Sequence, residues 1–360
     1  MISVVTALQV GLSPAPARPA PTKVDIAEGV YLFQTQPYGD VGLDGNSIVI
    51  VSSDGVLVFD SNGTPDAAAA VLAEIRRITP QPIRYLVNSH WHWDHWYGAE
   101  VYRAAFPNLQ IITHETTRRL MAGPALVFNQ PGLDSQLPGH IREVEAALAK
   151  ARAASPPAAE VGSLEEHLAR DRFFLDQKRG IHPTLATITF TDSLTLYLGD
   201  RIIKVLHHDR AITPGDAYLY LQKERIVVTG DLLINPITFG LFCYPTGWIG
   251  TLESIAGLDF GVLVPGHGAP LRDRALLDDT TVLLKREYAL TREAKTAGKT
   301  VDQTIAAILA DDGVLRLRAA ITGGVAARNP AFSLYLVEWF VRRAYQELAG
   351  ALDDSIPAVP

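Results

Sequence analysis

The sequence predicts an α/β sandwich, and three observations lead there. Apolar, β-branched runs alternate with helix-like stretches from about residue 29 onward, the order expected of sheets covered by helices. Three of those runs end in side chains that carry chemistry: Ile83–Val87 leads to His90-Trp91-His92-Trp93-Asp94-His95, Val227–Thr229 to Gly230-Asp231, and Val262–Pro265 to Gly266-His267-Gly268. A chain of 360 residues with 48% hydrophobic content can also bury a large core, as one large domain with additions or as two smaller ones.

In chain order, Ile2–Leu12 is mostly apolar and Ala15-Pro16-Ala17 imitates a small-residue cleavage site, with no basic stretch before it. Residues 1–25 therefore read as a leader or a truncated signal peptide. A signal peptide implies a periplasmic or secreted protein, and otherwise the expectation is cytoplasmic. Gly29–Gln34, Asn46–Val51 and Gly55–Asp60 read as strands, with Ser53-Asp54-Gly55 turning between the last two. Asp66–Ile78 reads as a helix capped by Thr64 and stopped by Pro80. The strand Ile83–Val87, a helix near His95–Ala105 and the strand Leu109–Ile112 before His114 follow. A second strand-rich half spans Thr187–Asn235, with hairpin turns at Gly199-Asp200 and Lys223-Glu224.

Two segments read as additions. Residues 120–182 hold helical stretches Ile141–Ala153 and Ser163–Gln177, separated by Ser155-Pro156-Pro157, with Ser163 and Glu166 as a capping box. Such an insertion could cover a cleft, pack on a flank or form an oligomer contact. Residues 276–360 are mainly helical, with Leu334, Val337, Val341 and Leu348 on one face, a pattern for core packing or for a homo-oligomer contact.

Within six residues, His90, His92, Asp94 and His95 place three imidazoles and a carboxylate, a density that packing alone does not require. His90 and His92, two apart on extended chain, point the same way, while Asp94 and His95 turn toward a second position. These residues, with Asp231 and His267, resemble the pattern of the metallo-β-lactamase superfamily: HxHxDH, a histidine before a T-x-G turn, a Gly-Asp and a Gly-His, over about residues 26–275. The resemblance implies a four-layer αββα sandwich with a helical insertion and a helical C-terminal extension. It also implies a first metal site of His90, His92 and Asp231, and a second of Asp94, His95 and His267 with Asp231 shared.

One ligand of the pattern is replaced. Ile212 stands immediately before Thr213-Pro214-Gly215-Asp216, where the resemblance implies histidine, and an isoleucine cannot bind a cation. The expectation is one tight metal at the second site and a weaker one at the first. Zinc is the expected ion, with manganese or iron as alternatives. His207 and His208 are the candidates to fill the gap, although neighbours on a strand face opposite ways and at most one can. His114 is the candidate for orienting a ligand; His140, His167 and His182 read as bystanders.

The implied function is metal-dependent hydrolysis of a small-molecule substrate. A bound cation lowers the pKa of its water to about 7, so hydroxide is available to attack an ester, thioester, lactone or related acyl or phosphoryl bond. Asp94 is the candidate for guiding the proton to the leaving group. Asp231 as a shared carboxylate resembles the thioesterase, lactonase and phosphodiesterase branches more than the antibiotic-degrading ones. Phe239, Leu241, Phe242, Tyr244 and Trp248 read either as an apolar rim that selects substrate or as packing beneath a loop. The rival readings are a degenerate metal-binding or sensor protein without turnover, a β-lactamase, and a mononuclear iron redox enzyme, which would need the histidine that Ile212 replaces.

Composition narrows the partners. A net charge of −7 offers no basic field for nucleic acid. The single cysteine, Cys243, excludes an internal disulfide and a multi-cysteine zinc site, and it reads as a small buried apolar residue. No stretch is long and apolar enough to span a membrane.

Overall fold

The computed structural model describes residues 20–35, 44–128, 136–154 and 158–356. The leader features Ile2–Leu12 and Ala15–Ala17, and the Ser155-Pro156-Pro157 break, lie outside the described residues.

Alternation of side chains along the strands explains the layers. The first sheet runs in the order β1 (Thr22–Ala27), β2 (Val30–Gln34), β3 (Ser47–Ser52), β4 (Gly55–Phe59), β5 (Ile83–Val87), β6 (Gln110–His114) and β7 (Ile188–Phe190). Its pairs are antiparallel up to β4 and parallel beyond, where helices provide the crossovers. α1 (Pro65–Ile78) links β4 to β5, and α2 (Ala99–Ala105) links β5 to β6. Between β6 and β7 come α3 (Glu115–Met121), α4 (Pro124–Phe128), α5 (Gln136–Ala154) and α6 (Ala158–Arg179). The second sheet contains β8 (Ser193–Leu198), β9 (Arg201–Leu206), β10 (Tyr218–Leu221), β11 (Ile226–Gly230) and β12 (Val262–Pro265) in the order 12-11-10-9-8. α7 (Pro245–Ala256) precedes β12; α8 (Ala275–Thr296), α9 (Val301–Leu309), α10 (Asp312–Thr322), α11 (Asn329–Phe332) and α12 (Trp339–Glu347) follow it.

Ile50, Leu57 and Phe59 from the first sheet meet Ile203, Leu219 and Val228 from the second in one buried cluster. Their strand neighbours Val49, Val58 and Leu86 turn outward onto Ala68, Val71, Leu72 and Ile75 of α1. The apolar spacing of three and four along α1 builds that helix face, and Ile75→Ala would cost about 2–5 kcal/mol. On the outer face of the second sheet, Tyr218, Val227 and Leu263 pack against Leu252 of α7, Leu284 of α8 and Phe340 of α12. The result is helix, sheet, sheet, helix, as the αββα expectation requires. The C-terminal helices thus share a core with the second sheet.

Several boundaries differ from the sequence reading. Residues 22–25, grouped there with the leader, lie in β1. β7, placed in the second half, instead extends the first sheet parallel to β6. α6 starts five residues before Ser163, which is therefore inside the helix and cannot act with Glu166 as a capping box. A capping box does occur at Thr300 and Gln303, at the start of α9. Between α11 and α12 the chain winds as a π-helix over Ser333–Glu338, which shifts the helical face. Leu334 consequently turns outward, while Phe332, Leu336, Val337, Phe340 and Val341 are buried.

Candidate metal centre

The donors come from the carboxyl ends of neighbouring strands, where backbone pairing stops and side chains are free to converge. β5 ends at Val87, and the next turns carry His90, His92, Asp94 and His95, the last two in a short 3-10 turn. β11 delivers Asp231 and β12 delivers His267. Glycine is required at two points of this assembly. Gly230 has φ +54°, in the left-handed region, and a Cβ at Gly266 would collide with Asp231 Oδ1.

All six predicted residues meet in two groups that could hold metal ions, His90–His92–Asp231 and Asp94–His95–His267. Asp231 joins both. Its Oδ2 lies 3.6 Å from His90 Nε2 and 3.8 Å from His92 Nδ1. Its Oδ1 lies 3.3 Å from His95 Nε2 and 3.4 Å from His267 Nε2. Around the second group the remaining separations are 3.5 Å for His95 Nε2 to Asp94 Oδ2, 3.1 Å for His267 Nε2 to Asp94 Oδ2 and 3.3 Å between the two imidazole nitrogens. A tetrahedral cation with bonds of about 2.0–2.1 Å has ligand-to-ligand edges of about 3.3 Å. The second group therefore fits a four-coordinate cation closely, and the first is looser and has one donor fewer.

Hydrogen bonds set which nitrogen each ring presents. Ser89 Oγ gives its proton to Asp60 Oδ2 at 2.7 Å, so His90 Nδ1–H donates to Ser89 Oγ at 2.8 Å and leaves Nε2 as the lone pair. His95 Nδ1–H likewise donates to Asp60 Oδ2 at 2.8 Å, which turns Nε2 inward. Asp60 also accepts from Ser89 N, and its backbone sits at φ +61°, a conformation aspartate tolerates better than most residues. His90 Nε2 is buried with no hydrogen-bond partner among the described residues, the condition of a nitrogen kept for a cation. Asn46 closes the far side by donating from Nδ2 to Pro265 O and Gly268 O, and so holds the His267 loop.

The electrostatics also suit a cation. Burial by itself would raise the Asp94 and Asp231 carboxyls, but His95 and His267 outweigh it and hold both well below the usual carboxylate range. In return, although burial opposes it, Asp231 and Asp94 raise His267 to about 10 and His95 well above its ordinary value. Burial and the neighbouring His92 and His95 keep His90 neutral. Positive charge is thus demanded where the second group converges.

The other candidate residues lie outside these two donor groups. His207 Nδ1 donates to Asp216 O at 2.8 Å and its ring lies 4.1 Å from that of His114, while His208 faces Gly250 of α7, so neither joins a donor group. Ile212 is fully buried in the apolar core of the second sheet. His114 Nε2 donates to Thr191 O and its Nδ1 accepts from Thr116 N, so it caps α3 rather than orienting a ligand. That orienting role falls to Asp60 and Ser89. Asp60 was findable by the rule that exposed Asp231 and His267, a ligand-type residue just past an apolar strand. His182 pairs with Glu100 near the surface, whereas His140 and His167 come together with Asp171. Of the aromatic rim, Phe239 and Phe242 lie 6.1 and 5.4 Å from the His92 ring. Tyr244 and Trp248 instead bond to backbone oxygens of Asp353 and Leu232.

The aromatic wall is held from the C-terminal helices. Trp339 packs 4.7 Å from Phe239, and Arg343 donates from Nε to Cys243 O at 2.7 Å and from Nη2 to Phe242 O at 3.2 Å. On the opposite flank the insertion leans on the donor loop: Phe174 lies 5.6 Å from the Trp93 ring, and the Lys178 ammonium 4.1 Å from it. Burial lowers Lys178 to about 7, with Asp94 acting in the other direction.

Comparison with known proteins agrees with this geometry. The pattern of the metallo-beta-lactamase superfamily matches residues 40–267. The chain belongs to that superfamily. It is 24% identical over 247 residues to the linear primary-alkylsulfatase of a Pseudomonas species, covering 64% of this chain and 43% of that protein. Among solved structures, the metallo-beta-lactamase from Pontibacter korlensis superposes with a TM-score of 0.52 at 16% identity, over 74% of this chain and 99% of the other. A double mutant of the sec-alkyl sulfatase PisA1 superposes with a TM-score of 0.61 at 14% identity, over 92% of this chain and 50% of that one. The chain spans half or less of the length of these two sulfatases. At such identities the structural likenesses bear on the fold.

Proposed function

We propose that this superfamily member is a metal-dependent hydrolase of an ester-type bond, with a tight cation at Asp94, His95, His267 and Asp231 and a weaker one at His90, His92 and Asp231. The observation that carries the reading is the Asp231 carboxylate, which turns one oxygen to each donor group. Zinc suits the imidazole-rich donor set, and when bound it supplies Lewis acidity and a water acidic enough to react near neutral pH. The protein's own part is positional and electrostatic. Asp60 and Ser89 hold the imidazoles in the required tautomers, and Asp94 stays ionised beside His95 and His267. Asp94, ionised beside the cation it would hold, is the group that would accept a hydrogen bond from the attacking water and guide its proton toward the leaving oxygen. His92 and His267, the more exposed donors, mark the side from which substrate enters.

Within that class, a sulfate ester of an apolar alcohol is the finer reading. It is supported by the two relatives named as alkylsulfatases and by Phe239 and Phe242 beside His92, against which a hydrocarbon chain would pack. Zinc- or manganese-loaded protein should therefore be offered alkyl sulfates of increasing chain length beside thioesters, lactones, phosphodiesters and a β-lactam. Turnover of the sulfates that rises with chain length is the expected result. Turnover of another ester class alone would overturn the finer reading. Fully loaded protein inert toward every class would favour the sensor reading.

A further inference from the structure

The helical hairpin of α5 and α6 carries donors that the proposed catalysis does not use. His140 lies on α5, and His167 and Asp171 lie one turn apart on α6. Their ligand atoms converge: His140 Nε2 and His167 Nε2 are 3.4 Å apart, and Asp171 Oδ2 lies 3.6 Å from the first and 3.2 Å from the second. These are three edges of one face of a tetrahedron, close to the edge of about 3.3 Å set by nitrogen and oxygen bonds of about 2.0–2.2 Å. They match it better than the His90–His92–Asp231 group does.

The surroundings suit a cation. Asp171 is fully buried, so a cation held by its carboxylate would be attracted more strongly than at the surface. The side chains of His140 and His167 are 33% and 18% exposed, so a cation from solvent can reach the group. Beneath the cluster, Ile141, Val144 and Leu148 of α5 pack on Leu168 and Leu175 of α6, so the three donors are held on two helices that are already joined.

We propose that His140, His167 and Asp171 form a third cation site, selective for zinc-like ions, that clasps α5 to α6. Two imidazoles and one carboxylate are borderline ligands suited to zinc rather than to calcium or magnesium, which prefer oxygen. Its role is structural and reaches the catalytic side through α6. Phe174 and Lys178, one and two turns beyond Asp171, rest on Trp93, the residue before Asp94. Ordering the hairpin therefore supports one wall of the metal centre. The inference does not depend on what that centre hydrolyses.

The test uses the full chain, stripped by chelation, titrated with zinc and counted by elemental analysis after dialysis. The His140→Gln/His167→Gln double variant should retain one zinc per chain fewer than the unsubstituted protein. Its thermal midpoint should rise less on adding zinc, and its far-ultraviolet circular dichroism should be unchanged. Equal zinc content and an equal zinc-induced shift in the two proteins would overturn the proposal. If the double variant does not fold, single His167→Gln decides: a loss of at least about tenfold in affinity for one zinc is expected, and unchanged binding of every equivalent overturns the site.

Discussion

The two halves of the metal centre share Asp231 as a donor and, through Ser89, the Asp60 brace, but they differ in spacing. On one side, Asp94, His95 and His267 stand 3.1–3.5 Å from one another, and His95 and His267 stand 3.3 and 3.4 Å from Asp231 Oδ1. On the other, His90 and His92 stand 3.6 and 3.8 Å from Asp231 Oδ2, and the turn that the sequence pattern would use for another donor carries Ile212 into the core. A donor set tightens when its members come from several strand ends and are braced behind. The tight half draws on three strand ends, with Asp60 behind His95 and Asn46 behind the His267 loop. The looser half has Ser89 as a brace and, among the described residues, three donors from two strand ends.

The largest expected effect removes what the halves share. Asp231→Asn should abolish turnover and empty both groups, as read by metal content and activity on the same sample. Retention of a full tight equivalent would break the claim that Asp231 serves both. Next in size, Asp60→Asn leaves every donor in place but weakens the acceptor behind His95. It should lower affinity at the tight half by about 10–100-fold in a chelator competition, the usual cost of losing a ligand's support. An effect confined to the weaker equivalent would reverse the comparison.

A smaller change tests the looser half directly. Ile212→His should raise affinity for the weaker equivalent by about tenfold or more, seen by calorimetric zinc titration, once the ring turns from the core to the cation. Unchanged binding would mean that position 212 does not face the first group. The smallest effect concerns the anchor of the same turn. Asp216 accepts from Thr213 N and Thr213 Oγ1, and burial raises it from 3.8 to about 7. A raised carboxyl contributes stability that is complete below its unfolded value and is lost as pH rises through the folded one. Asp216→Asn should therefore flatten the fall of thermal midpoint between about pH 4 and pH 7. An identical slope in both proteins would show that Asp216 does not titrate there.

The strand ends were legible because two independent signals coincide there: an apolar run, and a ligand-type residue directly after it. That combination located His90, His92, Asp94, His95, Asp231 and His267, as well as the sandwich that brings them together. Asp60 ends a strand in the same way, so the same rule would have raised it as a candidate, but its role behind His95 depends on β4 lying next to β5. His140, His167 and Asp171 were invisible for another reason. His140 and Asp171 are 31 residues apart, on separate helices, and only hairpin packing makes them neighbours. On the C-terminal helix Val337 and Val341 are buried as the spacing predicts, while Leu334 turns out because a π turn adds a residue per turn that no 3.6-residue pattern anticipates.

Arg343 grips the backbone of Phe242 and Cys243, and Trp339 backs Phe239, so the aromatic wall beside His92 is fixed by residues about a hundred positions downstream. The donors and the wall beside them are thereby set by different stretches of the chain, so a change in the tail would move the wall without touching a donor.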